Sequence, residues 1–226
     1  MHAIRTLWAS LRSSKGYTLD QTILIIAIIA ILVTLIILTV GWNLINKASG
    51  TRLASQLGNV EDAMGNFYGD LKQWPVATTS NPVNDAVTLA GLNASSSGNT
   101  KNYIAGLATT ATGVTHNLNT STAANRRVTI GQVTGGTNSW VSASSSNIYE
   151  VVTFQSVYGS DFLEADRAID SGDGGDKGRV RAIANAGATA PTATTGCYQT
   201  SALPTFIAAP TASTLYDVCY LANNVQ

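Results

Sequence analysis

Apolar and polar positions divide the chain into three regimes. From Thr22 to Val40 the residues read TILIIAIIAILVTLIILTV, with no charge, glycine or proline. A helix of that length covers about 28 Å, close to the hydrocarbon thickness of a bilayer. It is apolar on every face, which a buried helix of a soluble protein rarely is. Arg5, Arg12 and Lys15 precede the run without an accompanying acid. That asymmetry predicts a cytoplasmic N-terminus, with everything after the run displayed on the other side. A secretory signal peptide is the competing reading. Its apolar core is shorter and a small-residue cleavage site follows closely, whereas Gly41-Trp42-Asn43 leads into more helical sequence.

The second regime is amphipathic. Leu53, Leu57, Val60, Met64, Phe67, Tyr68 and Leu71 recur at helical spacing, with Arg52, Gln56, Asn59, Glu61, Asp62, Asn66 and Asp70 on the opposite face. This predicts a half-helix over 42–73 whose apolar stripe packs on a globular head. Trp74-Pro75 ends it, because the residue before a proline is pushed to extended geometry. Gly41, Gly50, Gly58 and Gly65 punctuate the helix, each at a cost of about 1 kcal/mol relative to alanine. They mark bends or close helix contacts, or are simply tolerated by packing.

The third regime begins with a Ser/Thr/Asn/Gly-rich connection over 74–125, holding a short helix near Asp85–Leu92. Strand signals follow at Arg127–Val133, Ile148–Phe154, Arg179–Ile183 and Tyr216–Leu221, rich in β-branched and aromatic residues. Asp161–Ala168 suits one or two helical turns. No long helix separates the strands, so the sheet is expected to be antiparallel. The fold class is therefore α+β, a long N-terminal helix packed on a β-sheet head over 126–226.

Charge and chemistry narrow the function classes. Charged residues make up 12% of the chain. Beyond residue 16 there are ten basic and thirteen acidic side chains, a poor balance for holding a polyanion. Arg126-Arg127 and the Lys177/Arg179/Arg181 group are the only basic clusters, which disfavours DNA. Cys197 and Cys219 fit one disulfide in an oxidising compartment. It would close a C-terminal loop of about 20 residues and contribute roughly 3 kcal/mol. Two buried thiols are the alternative. Beyond residue 16 only His116 remains of the histidines, in a Thr/Asn-rich loop that suits a surface position. No nucleophile elbow, zinc motif or phosphate loop accompanies it, so no catalytic residue and no enzyme are expected. Asp170, Asp173 and Asp176 stand three apart in a Gly-rich loop. Carboxylates and free carbonyls suit Ca²⁺, though not in an EF-hand arrangement. A solvated turn using Asp and Gly for its geometry is the other reading, with no cofactor at all.

The junction Lys15-Gly16-Tyr17-Thr18-Leu19-Asp20-Gln21, directly before the apolar run, resembles the processing site of type IV pilins and pseudopilins. The stretch Ala165–Ala182, with its Ile-Asp, Asp-Gly loop and Gly-Arg-Val-Arg-Ala strand, is similar to a pattern of minor pilins and pseudopilins. The N-terminal resemblance covers about the first third of the chain. It implies cleavage of leader 1–16 after Gly16 by a prepilin peptidase, and methylation of the new N-terminus at Tyr17. It implies a membrane and assembly half-helix over 17–41 and, in one pseudopilin branch, calcium in the C-terminal loop. The family's usual glutamate is replaced by Gln21, and an acid stands one position earlier, at Asp20. A buried ammonium or carboxylate needs a partner, so Asp20 is the candidate partner of the Tyr17 amine. The implied partners are copies of this chain, other pilin-like subunits, an assembly platform with its ATPase, and lipid before assembly. The implied location is the bacterial inner membrane, then an extracellular filament or a periplasmic pseudopilus. A subunit of a type IV pilus-like filament, major, minor or atypical, a type II secretion pseudopilin and a membrane-anchored adhesin or binding module that does not polymerise all remain open.

Overall fold

The computed structural model describes residues 2–72, 74–75, 103–104, 107–110, 113–136, 139–141, 147–189, 196–199 and 202–224. The expected helix near Asp85–Leu92 lies outside them. The chain divides into two compact units, Met1–Ile45 and Asn46–Gln226.

The first unit is helical throughout its described residues, as part of α1 (His2–Leu71). Its Leu19–Leu38 stretch is 20 residues long with a mean hydropathy of 3.0, long and apolar enough to cross a membrane. None of that stretch is buried, so its leucines and isoleucines turn outward. A face this apolar needs lipid or protein around it.

The second unit starts with the remainder of α1. It continues with β1 (Ala108–Thr110), β2 (Gly113–Thr115), β3 (Val128–Thr134), β4 (Ile148–Tyr158), α2 (Gly159–Ile169), β5 (Val180–Ala184) and β6 (Leu215–Asn224). Strands β3-β4-β6-β5 form one sheet in that order, antiparallel at every junction. The last strand in sequence is therefore a central one. The unit is α+β, as its sequence predicts.

Residue period explains how the faces sort. Leu53, Leu57, Val60, Met64 and Phe67 of α1 are buried in one cluster with Val128, Ile130, Val152, Phe154, Val218 and Tyr220 of the sheet. In the strands these alternate with residues of the opposite face. There Val133, Val151, Ile183 and Cys219 gather with Trp140, Cys197 and Tyr198 in a second cluster. Cys197, in a short 3₁₀ turn at Gly196–Tyr198, is disulfide-bonded to Cys219 of β6. The C-terminal segment is thus stapled to the outer face of the sheet. Arg181 of β5 lies between Trp140 and Phe206, at 5.0 and 5.1 Å from the ring centroids, a cation–π sandwich over the same face.

Several expectations need correction. Gln56 is buried, and its Nε2 donates to Asn117 Oδ1 at 2.8 Å. Tyr68, read as part of the buried stripe, is 40% exposed and stacks on Trp74 at 4.5 Å. The helix ends at Leu71, before the proline acts, because Lys72 takes a left-handed φ of 56° and its N–H returns to Tyr68 O at 2.8 Å. That is a C-terminal capping geometry which sequence spacing does not show. β4 runs past Phe154 to Tyr158, and α2 follows without a loop. The β4–β6 register shifts between Phe154 and Val157, with Ser156 at φ 56°. The short β1–β2 hairpin within the Thr/Ser-rich connection went unsignalled, since three-residue strands carry too little periodicity.

Candidate functional site

Three groups of residues carry the chemistry. The first is the start of α1. Gly16 and Tyr17 belong to the helix, but the side chains of residues 1–18 lie outside the description. Asp20 and Gln21 are described, and both are exposed on α1. Asp20 is the sole charged residue of the helix between Lys15 and Lys47. A lone carboxylate at the edge of an apolar face is expensive in lipid unless it reaches the interface or a positive partner.

The second group is the turn between α2 and β5. Asp170 caps it: its N–H donates to Asp166 O at 2.7 Å, and its Oδ2 accepts the Val180 N–H at 2.7 Å. Ser171, Gly172, Gly174 and Gly178 all have positive φ. The carboxylates that converge are Asp166, Asp170 and Asp173, with one oxygen of each within 4.8 Å of the others. Asp176 is not part of that cluster, so the structure gathers only two of the three expected residues. Asp166, which spacing missed, supplies the third from the last turns of α2. It is buried, its Oδ2 accepts the Gly174 N–H at 3.3 Å, and its Oδ1 has no partner among the described residues. Burial raises its pKa above the ordinary value. The Gly174 hydrogen bond opposes that, and the neighbouring Asp173 and Asp170 charges add to it. The loop therefore closes on its own backbone hydrogen bonds and leaves a crowded acidic cluster, whose repulsion a proton on Asp166 or a divalent cation would relieve.

The arginines of the two basic clusters make internal contacts. Arg179 pairs with Glu61 of α1 at 2.7 Å and lies 5.0 Å from the Tyr220 ring centroid. The Tyr220 hydroxyl donates to the same glutamate. Arg181 sits in its aromatic sandwich and donates from Nε to Gly178 O at 3.1 Å. Arg126 donates to His116 O at 3.0 Å, and Arg127 to Ala188 O at 3.2 Å. Lys177, in the same group as Arg179 and Arg181, is exposed.

The third group is a pair of buried ionisable side chains. His116 is fully buried, against the expectation of a surface position. Its ring stacks on Phe154, Nε2 bonds Gln155 O at 2.6 Å, and Nδ1 accepts from Leu118 N at 3.4 Å. Both ring nitrogens are thus occupied, and the neutral tautomer is the one that satisfies them. Burial lowers its pKa to about 4, and the nearby Arg126 charge adds to that, against the bond to Gln155. Glu150 of β4 is also fully buried, with Oε1 accepting from Gln132 Nε2 at 2.8 Å and Oε2 unpartnered among the described residues. Burial pushes its pKa up to about 8.

These features define a chain with one membrane-length apolar helix and a disulfide-stapled α+β unit. Compared with known proteins, it matches no family model, no curated protein and no solved structure.

Proposed function

We propose that the chain is a structural subunit of a type IV pilus-like filament, a minor or atypical one. In this reading it is held in the inner membrane by its N-terminal helix, freed of its leader after Gly16 and methylated on Tyr17. The observation that carries the reading is the Gly16–Gln21 junction set directly against the Leu19–Leu38 apolar stretch. The exposed face of that stretch supports it, because leaving lipid for a bundle of like helices keeps every apolar residue covered. The amphipathic part of α1, buried on an antiparallel sheet, and the Cys197–Cys219 staple agree with it. Asp20 then faces the Tyr17 amine of a neighbouring copy, where a glutamate stands in the family.

The test is intact-mass and N-terminal analysis of filaments purified from cells making the chain with a prepilin peptidase. A methylated Tyr17 start is expected, and Gly16→Val is expected to retain the leader and stay in the membrane fraction. Assembled filaments carrying Met1 overturn the reading. Lost protein secretion with normal surface filaments on deletion moves the chain to a type II secretion pseudopilus. Adhesion by unassembled membrane-bound protein makes it an anchored binding module.

A further inference from the structure

The outer face of the sheet carries a cavity of about 410 Å³ beside the Cys197–Cys219 disulfide. Roughly 300–1,000 Å³ is the range of small-ligand sites. Its floor is formed by Thr153 of β4, Ile183 of β5 and Asp217 of β6, and Cys197 and Pro204 stand in its walls. The lining is mostly apolar, and Asp217 is its one charged residue.

The polar side chains at this floor are the Asp217 carboxylate, which accepts, and the Thr153 hydroxyl, which donates or accepts. Asp217 is 2% exposed, and its two oxygens accept the Ser156 N–H at 3.0 Å and the Ala186 N–H at 3.1 Å. No lysine or arginine pairs with it among the described residues. Thr153 is buried, and its hydroxyl has no partner there. Gln155, two residues along β4, donates to Thr189 O in the cavity wall at 2.7 Å and keeps a buried, unpartnered Oε1. A buried carboxylate without a counter-ion is costly, and orphaned buried oxygens add to the cost. A ligand carrying N–H donors and a positive charge relieves both. An anion meets the carboxylate and is repelled, and a purely apolar guest leaves the oxygens as they were.

We propose that this cavity binds a small aliphatic ammonium, with the charged head at Asp217 and the stem against Ile183 and Pro204. The head is a free amine or a lysine side chain of a partner protein, and the chemistry is the same for both. The shift at Asp217 agrees: burial raises its pKa, hydrogen bonds from Ser156, Ala186 and the Gln155 side chain oppose that, and no charged neighbour contributes. A cation is the missing element. The inference does not depend on filament assembly.

The test uses the full chain in detergent, labelled at the Ile and Ala methyls and followed by NMR. The probe is 1,5-diaminopentane, with 1,5-pentanediol as the uncharged isostere and Nα-acetyl-lysine amide as the protein-borne form. Saturable shifts of the Ile183 and Ala186 methyls are expected with the diamine, at least tenfold tighter than with the diol. Asp217→Asn is expected to abolish them. Ala186→Phe, which keeps the backbone bond to Asp217 and fills the cavity, is expected to do the same, and it controls for misfolding of Asp217→Asn. Binding of the lysine amide as well as the diamine supports a protein-borne head, and binding of the diamine alone supports a free amine. No shift with either amine, equal binding of the diol, or shifts that survive Ala186→Phe in a folded protein overturn the proposal.

Discussion

Gly50 of α1 lies directly against Glu164 of α2. A Cβ placed on Gly50 would overlap Glu164 Cβ and stand 3.0 Å from Asp161 O. The Ser49 hydroxyl donates to Asp161 at the same crossing, so the two helices are joined by a polar bond and by an absent side chain. Gly50→Ala is expected to destabilise the fold by about 1–3 kcal/mol, since a packed contact has to open. Gly58 and Gly65 have nothing within 4 Å of their would-be Cβ. Alanine there is expected to stabilise by about 0.5–1 kcal/mol through helix propensity. Chemical denaturation of the full chain in detergent checks both, and an equal response at Gly50 and Gly58 contradicts the close crossing.

Stability is expected to peak in mildly acidic solution. His116 titrates near 4 when folded and near its ordinary 6.5 when unfolded. The unfolded chain therefore binds more protons between those values, and stability rises with pH across that window, by on the order of 3 kcal/mol. Glu150 acts in the opposite sense. Its folded pKa of about 8 exceeds its ordinary 4.5, so stability is full at low pH and is lost as pH rises towards 8. Thermal midpoints across pH 4–9 are expected to pass through a maximum near pH 5–6. In Glu150→Gln the alkaline decline flattens, and a decline of unchanged slope would falsify the assignment to Glu150.

Removing the staple has a calculable cost. Cys197 and Cys219 are separated by 22 positions, and opening a loop of that size costs roughly 3 kcal/mol on the chain-entropy model. The Cys197→Ser/Cys219→Ser double variant is expected to lower the denaturation midpoint accordingly. It is also expected to leave a protein no longer sensitive to reductant. A wild type indifferent to reductant while unfolding argues against the bond.

Asp20 is predicted to matter for assembly and not for folding. It is exposed on α1, far in sequence from the residues that pack on the sheet. Asp20→Asn is expected to reduce filament yield at least several-fold with unchanged head stability, and Asp20→Asn/Gln21→Glu to recover much of it. Full yield from Asp20→Asn removes the proposed pairing with the Tyr17 amine.

The acidic cluster is tested by neutralising one member. Asp173→Asn is expected to raise the thermal midpoint slightly at neutral pH, because one of the two like charges facing Asp166 is removed. Calcium adds RT ln(1 + [L]/Kd) if it binds the folded state. A calcium-dependent midpoint that disappears in Asp173→Asn makes the cluster a metal site, and a titration without heat leaves it to a shared proton.

What the sequence revealed follows from how far each signal reaches. Leu53, Leu57, Val60 and Met64 announced their burial because a 3.6-residue period is local. The four sheet strands were placed within a few residues because β-branched runs are local too. The burial of His116 was hidden, since its partner Gln155 is 39 positions away and its own loop is polar. Gln56 was misplaced for the same reason, its partner Asn117 being 61 positions distant. Aspartate spacing in a loop named Asp170 and Asp173 but not Asp166, which the end of α2 delivers. The outer-face cavity had no local signature, because Thr153, Ile183 and Asp217 come from three strands.

The order β3-β4-β6-β5 has a consequence for the sequence in which the sheet can form. As the chain is made from its N-terminus onward, β4 and β5 are complete while the strand between them is still missing. Both Cys219 and the acceptor of the Ser156 N–H, Asp217, arrive with that strand. The sheet cannot close in instalments, so a head stalled short of Leu215 is left with two unpaired strand edges and one reactive thiol.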